Sequence, residues 1–199
     1  MFLQMIEGKV RDADLLNRQM EAWRTDVKPG AIGFLGATGG MTDDGRSVTV
    51  ARFESQDAAM QNAHRPEQDA WWRATAPAFD GEPTFIDCPE VDLIMGGGSD
   101  GAGFVQIMKG RTTDKQKLRE MGDQMEEDMP KMRPDVVGGV VGWHGDRDFI
   151  QVIYFSSEEE ARKAEAAQAS GEAEGPPDDW SALIDGEITF IDLHEPQFD

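Results

Sequence analysis

Of 199 residues one, Cys88, is a cysteine, one, Tyr154, is a tyrosine, and three are histidines. A lone thiol closes no internal disulfide and supplies no Cys-rich zinc site, so a reducing cytoplasm is the expected compartment. Positive charge is also scarce, with 19 Lys and Arg against 39 Asp and Glu, a formal charge of −20. That field repels phosphates and anionic headgroups, which argues against nucleic-acid and membrane partners. No apolar run approaches the ~18 residues that a membrane-crossing helix needs. The opening Met1-Phe2-Leu3-Gln4-Met5-Ile6-Glu7 has neither the basic nor the apolar region of a signal peptide. What the chain does have is 10 Phe, 5 Trp and 11 Met, ample for a folded core.

Motifs for metals and phosphates are missing too. His64, His144 and His194 share no metal-ligand spacing. No glycine-rich stretch ends in Gly-Lys-Ser/Thr. Gly96-Gly97-Gly98-Ser99-Asp100-Gly101 fits GxGxxG, but a strand from about 104 follows it, not the helix that would receive a pyrophosphate. No cofactor is therefore expected.

The informative feature is self-similarity. Phe2-Leu3-Gln4-Met5-Ile6-Glu7-Gly8-Lys9 reads against Phe104-Val105-Gln106-Ile107-Met108-Lys109-Gly110-Arg111. Further along, Lys28-Pro29-Gly30 parallels Arg133-Pro134-Asp135, and Ala51-Arg52-Phe53 parallels Ile153-Tyr154-Phe155. Near the ends Asp80-Gly81-Glu82-Pro83-Thr84-Phe85-Ile86-Asp87 parallels Asp185-Gly186-Glu187-Ile188-Thr189-Phe190-Ile191-Asp192. Collinear matches of this kind define two repeats, 1–95 and 102–199, joined by a glycine-rich linker at 96–101.

Each repeat has one element order. Short apolar runs at 2–8 and 103–110 predict strands. Leu16, Met20, Trp23 and Val27, and then Leu118, Met121, Met125 and Met129, recur at helical spacing, with a capping box expected at Thr113 and Gln116. Hairpins follow at 31–38 with 47–54 and at 136–143 with 148–155. A second helix begins at Ser55 or Ser156, and a last strand covers 83–87 or 187–193. The result is β-α-β-β-α-β, the ferredoxin-like unit. The opening strands are apolar at both parities, so both faces of each sheet should be covered, most simply by the two sheets packing into an α+β barrel.

This repeated order resembles the dimeric α+β-barrel proteins, which include antibiotic-biosynthesis monooxygenases, haem-degrading monooxygenases and chlorite dismutases. It is most similar to uncharacterised bacterial members built as two tandem repeats. The resemblance covers nearly the whole chain. It implies a monomer that builds within one chain what relatives build as a homodimer, although a homodimer of such chains stays open. It also implies a pocket between sheet and helices for a small aromatic or quinone-like ligand. Architecture does not carry function, which has to come from the site.

For such a pocket the densest run is Asn62-Ala63-His64-Arg65-Pro66-Glu67-Gln68-Asp69-Ala70-Trp71-Trp72-Arg73; its counterpart from Gly171 to Trp180 keeps a single Trp. That divergence marks either one working pocket or drift of a dispensable loop. Trp71 and Trp72 are candidate stacking walls or plain packing, and lie about 100° apart on a helix. His64 is a candidate general base or a solvated helix-end residue. Arg65 and Arg73 would hold an anionic oxygen or pair with Glu67 and Asp69. Gln4 and Gln106 face a ligand or tie structure together. Arg52 and Tyr154 are placed towards the cavity. His144, beside Trp143, is a candidate haem ligand or a solvated turn residue, and Cys88 reads as structural. A small-molecule-binding module is the first functional reading. A cofactor-independent monooxygenase acting on a polycyclic phenol or quinol is the alternative, and haem binding or degradation is the third.

Overall fold

The computed structural model describes residues 1–173, 175 and 180–199. The first apolar run forms β1 (Phe2–Lys9) and the stripe after it α1 (Ala13–Ala22). Asp12 caps α1 by accepting from the Leu15 amide at 2.8 Å, which satisfies one of the orphan donors of the first turn. The helix runs on through a π turn, Trp23–Val27, into a 3-10 turn at Lys28–Gly30 carrying Pro29. That turn, closed by the Ala31 amide donating to the Lys28 carbonyl, delays β2 to Phe34–Met41, three residues later than the apolar run predicts. After β3 (Arg46–Phe53) come α2 (Gln56–Ala63), capped by Ser55, and α3 (Pro66–Thr75). Pro66 forces the break between these two, since the residue before a proline is driven out of the helical region; Arg65 sits at φ −67, ψ 135. β4 (Thr84–Cys88) and β5 (Glu90–Ile94) follow.

The second repeat runs β6 (Phe104–Arg111), α4 (Lys115–Glu126), α5 (Met129–Met132), β7 (Val136–His144), β8 (Asp148–Phe155), α6 (Glu158–Ser170), β9 (Thr189–Leu193) and β10 (Gln197–Phe198). Its helix caps lie one residue beyond two of the predicted ones. Asp114, not Thr113, caps α4, because the Thr113 hydroxyl donates to the Ala182 carbonyl instead. Ser157, not Ser156, caps α6, because the Ser156 amide is committed to the Asp135 carbonyl.

The strands form two five-stranded sheets, ordered β10-β2-β3-β1-β4 and β5-β7-β8-β6-β9. The two match residue for residue: Phe2 pairs with Phe53 and Gln4 with Asp87, as Phe104 pairs with Phe155 and Gln106 with Asp192. Both carry a bulge on the second strand, at Leu35 and Val137, followed by Gly36 (φ 139) and Gly138 (φ 156). These are conformations that a side chain resists. Leu3, Met5, Val105 and Ile107 are fully buried, as are Phe2 and Phe104 on the other parity, in line with strands that are apolar on both faces.

Two compact units result, Met1–Glu90 with Gln197–Asp199, and Val91–Pro196. Each sheet takes one edge strand from the tail of the other sequence repeat. β10 pairs with β2 through Gln197 opposite Gly39 and Phe198 opposite Thr38, while β5 joins β7. Among the described residues no helix is long and apolar enough to cross a membrane.

Candidate functional site

On β1 and β3 of the first unit, alternation sends Phe2, Gln4 and Ile6, with Ser47, Thr49, Ala51 and Phe53, to the face beneath the helices. The small residues Ala37, Ala51, Ala59 and Ala63 leave that space unfilled. A cavity of about 330 Å³ remains between sheet and helices. Its walls are aromatic. Trp23 of the π turn meets Phe34 edge-on, with centroids 5.2 Å apart, and Phe34 meets Phe53 at 5.6 Å. Trp71 and Trp72 both line the cavity, from two sides. Trp71 turns towards α1, its Nε1 donating to the Gln19 carbonyl at 2.7 Å, while Trp72 packs edge-on against Phe85 of β4 at 5.3 Å. Of the two expectations for this pair, the contacts show the packing, and both rings also line the cavity.

Polar side chains stand among the rings of the wall. Gln4 Nε2 donates to Asp87 Oδ1 at 2.7 Å across the β1–β4 pair. Trp23 Nε1 donates to Gln68 Oε1 at 3.1 Å. Among the described residues three carboxylates, Asp69, Asp87 and Asp199, line the cavity, and no Lys, Arg or His does. Asp69 is ion-paired with Arg73, and Asp199 with Arg24 at 2.7 Å. Among the described residues Asp87 has Gln4 as its only hydrogen-bond partner and no ion pair.

Several predicted site residues lie elsewhere. His64 is exposed at the end of α2 and is not a lining residue. Arg65 acts as a tie, its Nη1 donating to the Val27 carbonyl and to Asn62 Oδ1. Arg52 and Tyr154 were expected to face the cavity, but alternation puts them on the opposite face of their sheets, beside Val50 and Val152, while their neighbours Phe53 and Phe155 point under the helices. Arg52 Nε is buried without a partner, and Tyr154 is 1% exposed with its ring against Gly98. Cys88 is buried, and burial first, then the neighbouring Asp87 charge, pushes its thiol up to about 12. The sequence reading missed Trp23, Phe85 and Asp87. Trp23 belonged to a stripe that reads equally well as core. Asp87, however, ends a recurring Thr-Phe-Ile-Asp directly across from the recurring Gln, and that coincidence was available.

The second unit encloses different chemistry. One cavity of about 160 Å³ lies beside Trp143, whose Nε1 donates to Asp92 at 2.6 Å. Another of about 540 Å³ is lined by Met108, Met125, Met129 and Met132, by Arg133 and Arg162, and by Gln106 and Asp192. Gln106 Nε2 donates to Asp192 Oδ1 at 2.9 Å, repeating the Gln4–Asp87 pair, but Arg162 is also ion-paired with Asp192. Arg133 holds the buried Asp135 at 2.7 Å. His144 ends β7, and among the described residues no histidine lines these three cavities. Of the counterpart stretch 171–180, residues 174 and 176–179 lie outside the described residues.

The fold so described is ferredoxin-like, present twice. Over all of this chain it is similar to a candidate monooxygenase of Fusobacterium nucleatum (TM-score 0.71, 8% identity, 93% of that chain covered). A candidate monooxygenase of Lactobacillus acidophilus matches with TM-score 0.66 and 11% identity over 96% of this chain and 92% of that one. An anthrone oxidase-like protein matches with TM-score 0.63 and 10% identity over 100% and 92%. At these identities the likeness is one of fold. No protein-family model and no curated protein matches the chain.

Proposed function

We propose that the first unit is a small-molecule-binding module that takes a flat, largely apolar ring system between its sheet and helices. The observation that carries this is the cavity of about 330 Å³ walled by Trp23, Trp71, Trp72, Phe34 and Phe53. Its volume falls within the range of ligand sites, and its lining sets aromatic rings beside hydrogen-bonding side chains, as such sites commonly do. Stacking on indole rings favours planar ligands, and the Gln4–Asp87 pair offers one polar anchor. Titration with a tricyclic such as anthrone, followed by quenching of tryptophan fluorescence, tests the reading. Saturable quenching is expected, weakened about tenfold in Trp72→Ala. No saturation at millimolar ligand overturns it.

Oxygenation of the bound ring is the second reading, favoured by a fold shared with candidate monooxygenases and an anthrone oxidase-like protein. Asp87, not the exposed His64, is then the group at the wall able to accept a phenolic proton. Oxygen uptake with anthrone, lost in Asp87→Asn and retained in His64→Ala, is the expected outcome; absence of uptake leaves binding alone.

A further inference from the structure

We infer that the first-unit cavity selects ring systems that carry a positive charge, aromatic or alkyl-substituted ammonium compounds, with Asp87 as counter-ion. The inference rests on the binding reading above and narrows its ligand class. An apolar site accepts a charge only if it supplies an opposite one, and here the charges on offer are carboxylates. Two of the three are already neutralised, Asp69 by Arg73 and Asp199 by Arg24. Asp87 is not: its one partner is a neutral amide, and it lies at the exposed end of the wall that Phe85 and Trp72 form.

The second unit shows what compensation of this carboxylate looks like. Asp192 occupies the same register position and holds the same glutamine, yet is ion-paired with Arg162. Arg162 lies five residues after its capping serine, Ser157, and the residue five after Ser55 is Met60. Met60 lines the cavity and is 52% exposed. In the first unit, then, the position that would supply an internal cation holds a thioether, and a ligand cation is left to do that work. Trp23, Trp71 and Trp72, which line the cavity, add indole rings, whose quadrupole attracts cations. The net charge of −20 draws cations towards the molecule and repels anions.

A matched series at pH 7.5 tests this by calorimetric titration of the full chain: N-methylacridinium, neutral acridine and acridine-9-carboxylate. The cation is expected to bind at least about tenfold more tightly than acridine, with the carboxylate weakest. In Asp87→Asn, and in Met60→Arg, which installs the arginine of the second unit, the cation-to-neutral ratio is expected to fall about tenfold, to the preference that the indoles and the net charge leave. Circular dichroism checks that both variants fold, and agreement between two unlike substitutions separates charge from local disturbance. If the native chain binds cation and neutral ring equally, the charge inference is overturned while the binding reading stands. If none of the three binds, the binding reading itself falls.

Discussion

Five residues past the capping serine of the helix after the hairpin, one unit carries Met60 and the other Arg162, and from that position the two cavities diverge. The sheets beneath are alike in register, in the placement of the bulge and in the Gln–Asp pair. The first unit has tryptophans on two helical segments and a carboxylate without an internal cation. The second has methionines, and its arginines are committed to Asp135 and Asp192. The two units thus share the backbone ladder and differ in the side chains that line the space beneath the helices. Methionine fills irregular volume flexibly, whereas a cage of indoles is stiff and presents fixed faces.

The largest effects are expected where the units share a backbone device but surround it differently. A side chain at Gly138 would collide with the Gly97 carbonyl, which is backbone, whereas at Gly36 the nearest atom is the end of the Arg52 side chain at 2.9 Å. Both glycines have positive φ. Gly138→Ala should cost about 3–5 kcal/mol and Gly36→Ala about 1–3 kcal/mol, read from urea unfolding; equal costs would break the parallel. Next in size are the ties on the exchanged strands. Asp92→Ala strips the acceptor from Trp143 Nε1 and from Arg119, and should cost about 1–3 kcal/mol. Arg24→Ala should cost less, about 1 kcal/mol, because Lys28 remains 3.8 Å from Asp199. Trp71→Phe, which deletes the bond to the Gln19 carbonyl and keeps a ring in the wall, should cost about 1 kcal/mol as well.

An effect of another kind concerns pH and touches one unit alone. Across the sheet from Leu3 stands Cys88, where the second unit has Leu193 across from Val105. The folded thiol is raised to about 12, while an unfolded thiol titrates near ~8.5. Folding therefore retains a proton that the unfolded chain releases, so this contribution to stability is complete below ~8.5 and is lost as pH climbs towards the folded value. Stability should fall between about pH 8.5 and pH 11 more steeply in the native chain than in Cys88→Ala. A thiol-reactive dye should label the protein only on unfolding; prompt labelling of the folded chain would contradict the burial.

Hydrophobic parity and turn chemistry made most elements legible, and internal recurrence made their order legible twice. The site was half legible. Gln4, Trp71 and Trp72 line the first-unit cavity, because local period alone decides which side of a strand or helix they occupy. Arg52 failed on that same rule, since Phe53 beside it already claims the helix-covered face. Trp23 was hidden because a helical stripe looks the same whether it meets a packed core or an empty space, and only the small Ala37 and Ala51 on the facing strands decide between them. Asp87 needed register, which a single strand does not contain. The destinations of β5 and β10 were not legible at all. They are short edge strands, and what they pair with depends on which ladder lies open once the rest has folded.

Those borrowed edges make the order of the chain and the order of its sheets two different things. A cut within residues 96–101 separates the repeats as written but leaves β5 attached to a fragment whose own sheet has no place for it. That fragment also lacks β10, so the N–H and C=O groups of β2 stand open along one side. Neither piece is self-sufficient, and each holds the strand the other lacks. Mixed together, the halves have the means to recognise one another through main-chain pairing alone.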